Sequence, residues 1–349
     1  MAKINYWIYN YMPYWEAASK EVKRLTELFG IQNETSLISL GNRDKSFVWQ
    51  KYFKKMPLLL GLGCRPYFKH TMKSMNLNHL FASFSDPFFM PMLAHSTKPW
   101  VLTIAKDSPN LGSIEKNIQF LQGASHIVVE SFRHQELLLQ IGLPQEKVSL
   151  IHPGIQFDEN TPSNKEKPFE ILFATAPLGK RDLINRGVYM MIAAAKNLPN
   201  IQFTLVWRKK NLEQLNSILA DNKITNINVH SGVIKDMTSY YKSCDAVILP
   251  AMEYASLKPC PHSGIEGLAQ GKPLLVSTPC SLAPLIKDYR AGLVFEPITN
   301  ALSEAIKKLQ TNYDQYQPNC QKLVNEQFSP EVFFKRYHKI YSRLLDQAA

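Results

Sequence analysis

DAVILPAMEYASLKPCPHSGIEGLAQGKP, residues 245–273, is the stretch that decides the fold. An apolar run (Ala246-Val-Ile-Leu249) stops at Pro250 and enters an irregular loop with two further prolines at 259 and 261. Ser263 is placed to cap a helix that starts near Gly264, with Glu266 in its first turn. A buried strand feeding a loop and then a helix is the repeating unit of a parallel sheet. The free N–H groups and positive dipole end of such a helix suit a phosphate, and a carboxylate one turn in can accept hydrogen bonds from ribose or sugar hydroxyls. The same four residues, Ser-Gly-Ile-Glu, also make an ordinary capping arrangement with an acid in the first turn. Chemistry alone leaves both readings open.

The pattern repeats outward in both directions. Upstream, strand-like runs at 6–9, 36–40, 80–84, 100–104, 126–129 and 148–152 alternate with amphipathic stretches such as 16–29 and 132–141. A polar stretch, QFDENTPSNKEKP (156–168), reads as a linker. Strand-like runs resume at 170–175, 202–206, 226–230, 246–249, 273–277 and 293–295, with helical stretches at 187–196, 212–219, 237–243, 263–270 and 302–309. Strands alternating with helices predict an α/β chain of two doubly wound domains facing each other, with a ligand cleft at the carboxyl ends of their strands. The expected division is 1–160, 166–325 and a C-terminal helical segment 326–349.

Composition narrows the function. Of 349 residues 45% are hydrophobic and 20% charged, a globular balance. Five scattered cysteines with no Cys-x-x-Cys pair argue against a disulfide framework or structural zinc. The start, MAKINYWIYNYMPYW, lacks the features of a signal peptide, and no run reaches the roughly 20 apolar residues of a membrane span. The expectation is therefore a soluble cytoplasmic chain. A net charge of +11 favours anionic partners. From Lys45 to Lys73 there is no acid, and lysines interleave with Phe47, Trp49, Tyr52, Phe53, Tyr67 and Phe68. That stretch reads as solvated helix faces with core aromatics, as a peripheral contact with an anionic membrane surface, or as a nucleic-acid surface. The last lacks any supporting zinc-finger or RNP-like motif, so no nucleic-acid partner is expected. No Asp-x-Asp pair occurs, which argues against a divalent ion held on phosphates by paired carboxylates. Gly61-Leu-Gly63 is followed by Pro66 where a dinucleotide fingerprint needs its third glycine, and no phosphate loop ending Gly-Lys-Ser/Thr occurs.

The decisive stretch resembles the donor-binding end of retaining GT-B glycosyltransferases of family four (glycosyl transferases group 1). The family's "Glu-Ala-x-Ala-x-Gly-x-Pro" is similar to Glu266-Gly-Leu-Ala-Gln-Gly271-Lys-Pro273. Its upstream "Gly-x-Val … Tyr … Asp" is matched by Gly232, Val233, Tyr241 and Asp245, and its downstream "Gly-x-Leu-Val-x-Pro" by Gly292–Pro297. Ala124–Ser131 and Pro153-Gly154-Ile155 resemble two further family runs.

The resemblance implies metal-independent transfer from a UDP- or GDP-sugar to a hydroxyl acceptor, a glycan or lipid-linked, at the cytoplasmic face of the membrane and in cell-envelope or polysaccharide synthesis. It implies Glu266 on the ribose, Val233 beside the base, and the backbone amides of Ser263, Gly264 and Ile265, with His262 nearby, around the donor. In Thr175–Gly187 (TAPLGKRDLINRG) it implies Arg181, or its neighbour Lys180, and Arg186 on the diphosphate. Fixed cations stabilise the negative charge that grows there as the sugar–phosphate bond breaks. The C-terminal helix is implied to pack back across the hinge.

Three departures stand out. The family's first glutamate, separated from the second by seven residues, falls on Lys258, which suits a phosphate or an acidic donor sugar; the nearby acid is Glu253, with twelve residues between it and Glu266. Where the family has a Gly-Gly turn after the first strand, Trp15-Glu16-Ala17 stands, with Glu16 a candidate on the acceptor side. Where it often has a histidine, Ala105 or Lys106 stands, with Asp107 just beyond as an acceptor contact or a helix cap. Two other classes fit the same fold: a non-catalytic sugar-nucleotide or partner-binding protein, and a sugar-nucleotide epimerase, for which no extra acid/base carboxylates are evident.

Overall fold

The computed structural model describes residues 1–13, 16–41, 65–84, 86, 88–105, 114–156, 167–175, 179–207, 210–232, 234, 236 and 237–347. Among the predicted site residues, Asp107 and Val233 lie outside these, as do 45–64 of the basic stretch and most of the predicted linker. The chain divides into two compact units, Met1–Gly154 with Pro330–Ala349, and Ile155–Ser329.

In the first unit the order is β1 (Lys3–Asn10), α1 (Ala17–Gly30), β2 (Glu34–Gly41), α2 (Arg65–Ser74), β3 (Leu77–Ala82), α3 (Phe89–Leu93), β4 (Trp100–Ile104), α4 (Ile118–Gly123), β5 (His126–Val129), α5 (Phe132–Gln140) and β6 (Val148–Leu150). The second unit runs β7 (Glu170–Phe173), α6 (Lys180–Asn185), α7 (Val188–Asn197), β8 (Gln202–Trp207), α8 (Leu212–Asp221), β9 (Ile227–Ser231), α9 (Thr238–Ser243), β10 (Ala246–Leu249), α10 (His262–Ala269), β11 (Leu274–Ser277), α11 (Ala283–Tyr289), β12 (Gly292–Phe295), α12 (Thr299–Thr311) and α13 (Tyr313–Leu323). The last helix, α14 (Pro330–Asp346), belongs to the first unit.

Each unit holds one six-stranded parallel sheet, ordered β2-β1-β3-β4-β5-β6 and β12-β11-β10-β7-β8-β9. Strands such as β4, β5 and β10 are buried at every position. A strand covered on both faces must be continuously apolar, and the runs WVLTI, HIVV and AVIL are. In the second sheet the chain builds from β7 through β8 to β9, then returns to the other side of β7 with β10. The order therefore reverses between β7 and β10, and a crevice opens at their carboxyl ends. In the first sheet the equivalent reversal lies between β1 and β3. Each unit is thus a Rossmann-like, doubly wound domain, as the alternation of strands and helices predicts.

Helix α14 presents Phe333, Tyr337, Ile340, Tyr341 and Leu344 as one buried stripe at helical spacing, in a core with Ile4, Tyr6, Val22 and Phe81. Buried polar bonds add direction. His79 Nδ1 meets the Tyr341 hydroxyl, His79 Nε2 meets Thr103 Oγ1 at 2.7 Å, and Thr103 Oγ1 meets the Tyr337 hydroxyl at 2.9 Å. The helix also needs Gly154, whose β-carbon would lie 2.7 Å from that of Phe333.

The described part of the basic, aromatic stretch is α2. Its Phe68 and Met72 are core, with Phe68 edge-on to Trp7, Phe88 and Phe89. Arg65, Tyr67, Lys69, His70 and Lys73 are exposed. Among the described residues no helix is long and apolar enough to cross a membrane.

Candidate functional site

The second unit gathers most of the predicted donor-side residues at the carboxyl ends of β7 and β10. The segment 175–187 leads from the end of β7 to the predicted helical stretch 187–196. The structure places the short helix α6 inside it, where Asp182 Oδ2 accepts from the Gly179 amide at 3.2 Å and closes the first turn. With six residues and a single buried side chain, Leu183, this helix has too little apolar periodicity to read in advance. Lys180 and Arg181 ride on its exposed face.

Three consecutive residues then tie the two strand ends together. Asn185 takes the Met252 amide on its carbonyl at 2.8 Å and donates Nδ2 to Glu253 Oε1 at 2.5 Å. Arg186, half-buried, donates Nη1 to the carbonyl of Thr175 at 2.9 Å, which fixes the guanidinium at the mouth of β7. Gly187 sits at φ +66°, and a β-carbon there would lie 2.0 Å from the Pro250 carbonyl oxygen. Glycine is required on both counts, since side chains rarely adopt this backbone and no β-carbon fits. The "Arg-Gly" pair is thus where α7 comes up against the end of β10.

Helix α10 lies almost on the sheet. A β-carbon at Gly264 would be 2.8 Å from Leu249 Cδ1, and one at Gly267 would be 2.6 Å from Val247 Cγ2. These glycines bring the helix start to the end of β10. Ser263 does not cap it. The helix begins at His262 with Pro261 in the cap position, and Ser263 lies within the first turn. The Pro261 carbonyl accepts from the Gly264 and Ile265 amides at 3.0 and 3.3 Å. Two of the three amides predicted to cradle a phosphate therefore already have an acceptor, and of the three the Ser263 amide stands nearest the helix end.

Glu266 is half-buried and accepts from the Tyr241 hydroxyl at 2.9 Å. Burial, with the Glu266 carboxylate beside it, holds the Tyr241 phenol well above its ordinary pKa. It stays a neutral donor that orients one carboxylate oxygen. Tyr241 was legible only as a motif residue, without this role. Its motif partner Asp245 does something different: at the amino end of β10 it accepts from the Glu170 amide at 2.8 Å and registers β10 against β7.

The loop from Pro250 to Pro261 carries the remaining candidates. Glu253 is exposed and leads a short helical turn, Tyr254–Ser256. Lys258 is half-buried, as is His262. From β11, Ser277 Oγ bonds the carbonyls of Leu249 and Ala251 at 3.3 and 2.6 Å and pins the loop's start. Two buried hydroxyls border the crevice, Thr175 Oγ1 past β7 and Ser256 Oγ in the loop, and neither has a hydrogen-bond partner among the described residues. An open depression of about 430 Å³ at Lys196, Asp221, Lys223 and Asn226 lies by the amino ends of β8 and β9 and holds none of the predicted residues.

In the first unit, Glu16 is exposed at the start of α1, just past the carboxyl end of β1. The turn that leads to it is held by Ser19, whose Oγ donates to the Asn10 carbonyl at 3.2 Å and accepts from the Met12 amide at 2.9 Å. Among the described residues no three His, Cys, Asp or Glu side chains are grouped to hold a metal.

The arrangement can hold an anion on Arg186 and the α10 amino end, and hydroxyls on Glu253 and Glu266. Comparison with known proteins places the fold. Residues 161–326 match the family model described as glycosyl transferases group 1. No curated protein matches. Among solved structures, the chain is similar to sucrose-phosphate synthase from Thermosynechococcus elongatus, at TM-score 0.77 and 15% identity over 99% of this chain and 100% of that one. A glycosyltransferase from Rickettsia africae superposes at TM-score 0.75 and 17% identity, over 99% of both chains. HepE from Anabaena, solved in complex with UDP-glucose, does so at 0.76 and 13%, over 98% and 100%.

Proposed function

From the match of residues 161–326 to glycosyl transferases group 1, we propose that the protein moves a sugar from a UDP- or GDP-sugar to a hydroxyl acceptor, with retention at the anomeric carbon and without a metal ion. The observation that carries this reading is the convergence of Arg186, Glu253, Glu266 and the α10 amino end on the sheet's reversal point.

Each residue has a task in that chemistry. Arg186 and Arg181, with Lys180 beside it, take the diphosphate, and guanidinium suits bidentate contact with its oxygens. Glu266, oriented by Tyr241, takes the ribose hydroxyls, and Val233 lies beside the base. Glu253 takes donor-sugar hydroxyls. Lys258, His262 and the Ser263 amide complete the donor side, the Gly264 and Ile265 amides being taken by the Pro261 carbonyl. When the bond from anomeric carbon to phosphate oxygen breaks, charge grows on the diphosphate, and the fixed cations stabilise it. The acceptor hydroxyl oxygen forms the new bond on the same face, and its proton goes to the departing phosphate oxygen. No protein base is needed for that step. Glu16 and Asp107 serve the acceptor side.

The acceptor is a glycan or a lipid-linked glycan of the cell envelope. The protein works in the cytoplasm, against the inner membrane face through 45–73. The exposed cations of α2, with no acid among them, support that contact. Replacing Lys51, Lys54, Lys55 and Lys69 with Glu weakens binding to anionic vesicles; unchanged binding removes the membrane claim.

The test of the reaction is slow release of UDP or GDP from a panel of nucleotide sugars in EDTA without acceptor, with the anomeric form of the first product read by NMR. Release of the same anomer as the donor supports the reading. An inverted product overturns retention. No release by a chain that binds the nucleotide points to a binding protein on this fold.

A further inference from the structure

Glu253 is an exposed carboxylate in an irregular loop, and alone it would spread over several rotamers. It does not stand alone. Its backbone is extended, its carbonyl accepts from the Ser256 amide at 3.2 Å, and its Oε1 takes the Asn185 Nδ2 donor at 2.5 Å. The neighbouring Met252 amide bonds the Asn185 carbonyl at 2.8 Å, so one short residue holds this loop by main chain and side chain together. Asn185 is also bonded in sequence to Arg186. The group placed on the diphosphate and the holder of the carboxylate placed on the sugar thus share one stretch of backbone. At the position where the resemblance calls for a glutamate, this chain has Lys258.

We infer that Asn185 is a positioning residue that aims Glu253 at the hydroxyls of the donor sugar, and that the Asn185–Glu253 pair takes the place of the glutamate missing at 258. The inference rests on the proposed function. Asn185 touches no substrate in this scheme; it acts through Glu253. The pair fixes which sugar hydroxyls are recognised, while the nucleotide is held elsewhere, on Arg186 and Glu266.

The experiment compares affinity for UDP and GDP with affinity for their hexose conjugates, taking the conjugate that gains most over its bare nucleotide. Asn185→Asp is isosteric but replaces the donor with a second carboxylate, and two close carboxylates repel unless they share a proton. At pH 8 the variant is expected to bind the bare nucleotide within twofold of wild type and to lose at least tenfold of the sugar-dependent gain. Lowering the pH to about 5.5 restores part of that gain in Asn185→Asp and not in Glu253→Ala. Glu253→Ala shows the same loss, and the double variant loses no more than either single, as expected for groups acting as one unit. The Met252–Asn185 main-chain bond survives in every variant, and unchanged thermal melting verifies the fold. A full sugar-dependent gain in Asn185→Asp at pH 8 overturns the inference and leaves the donor site standing. Wild type that binds neither UDP nor GDP overturns both.

Discussion

The α-carbon of Gly187 sits so close to the Pro250 carbonyl that a β-carbon would stand 2.0 Å from that oxygen. This contact joins the start of α7 to the end of β10. Gly187→Ala adds a left-handed backbone cost of about 1–3 kcal/mol to a steric clash with main chain. Unfolding in urea should show a loss of more than about 2 kcal/mol, together with weakened nucleotide binding. Gly179, whose β-carbon would meet nothing, is the control and should accept alanine at little cost. A stable Gly187→Ala variant contradicts the geometry.

The Tyr241–Glu266 bond predicts a smaller, cleaner effect. Tyr241→Phe keeps the buried ring and removes the hydroxyl that orients Glu266. A bond to a carboxylate is worth about 1.5–3 kcal/mol, part of which water recovers at this half-buried site. Nucleotide affinity should fall about fivefold to tenfold, with Glu266→Ala falling further. Equal affinity in Tyr241→Phe and wild type would show that the hydroxyl does not orient the carboxylate.

Acid should unfold the first unit through its histidines. Burial lowers His79 to about 3, burial with Arg343 nearby lowers His126 to about 4, and burial lowers His152 to about 4. All three are neutral in the folded chain at pH 5.5. In the unfolded chain they take up protons as pH falls through about 6.5. The unfolded state therefore binds more protons, and stability drops as pH falls from 7.5 to 5.5, by roughly 1 kcal/mol for each histidine. Urea unfolding followed by the fluorescence of the first unit's four tryptophans, Trp7, Trp15, Trp49 and Trp100, in a Trp207→Phe background measures this. His126→Asn should remove about a third of the histidine share of the slope; an unchanged slope contradicts it.

Much of this fold was legible because parallel strands are buried on both faces. The runs at 100–104, 126–129 and 246–249 coincide with β4, β5 and β10 to the residue. The amphipathic stretch 16–29 matches α1 within a residue at each end. What escaped was short or long-range. Helix α6 buries one side chain, and α13 carries Pro318 inside it. Ser263 has the residue type of a cap but lies inside the first turn; the helix starts a residue earlier, with Pro261 in the cap position and its carbonyl accepting from the Gly264 and Ile265 amides. The Asn185–Glu253 bond spans 68 residues, and no local pattern announces it.

The central claim is that the carboxyl ends of β7 and β10 hold a nucleoside diphosphate on Arg186 and Glu266. Calorimetric titration of UDP and of GDP, each in EDTA, tests it directly on wild type, Arg186→Ala and Glu266→Ala. One nucleotide should bind wild type without metal and lose at least tenfold in affinity in each variant, with Arg186→Lys between. Binding of neither nucleotide to wild type, or equal binding to all the variants, would contradict the account.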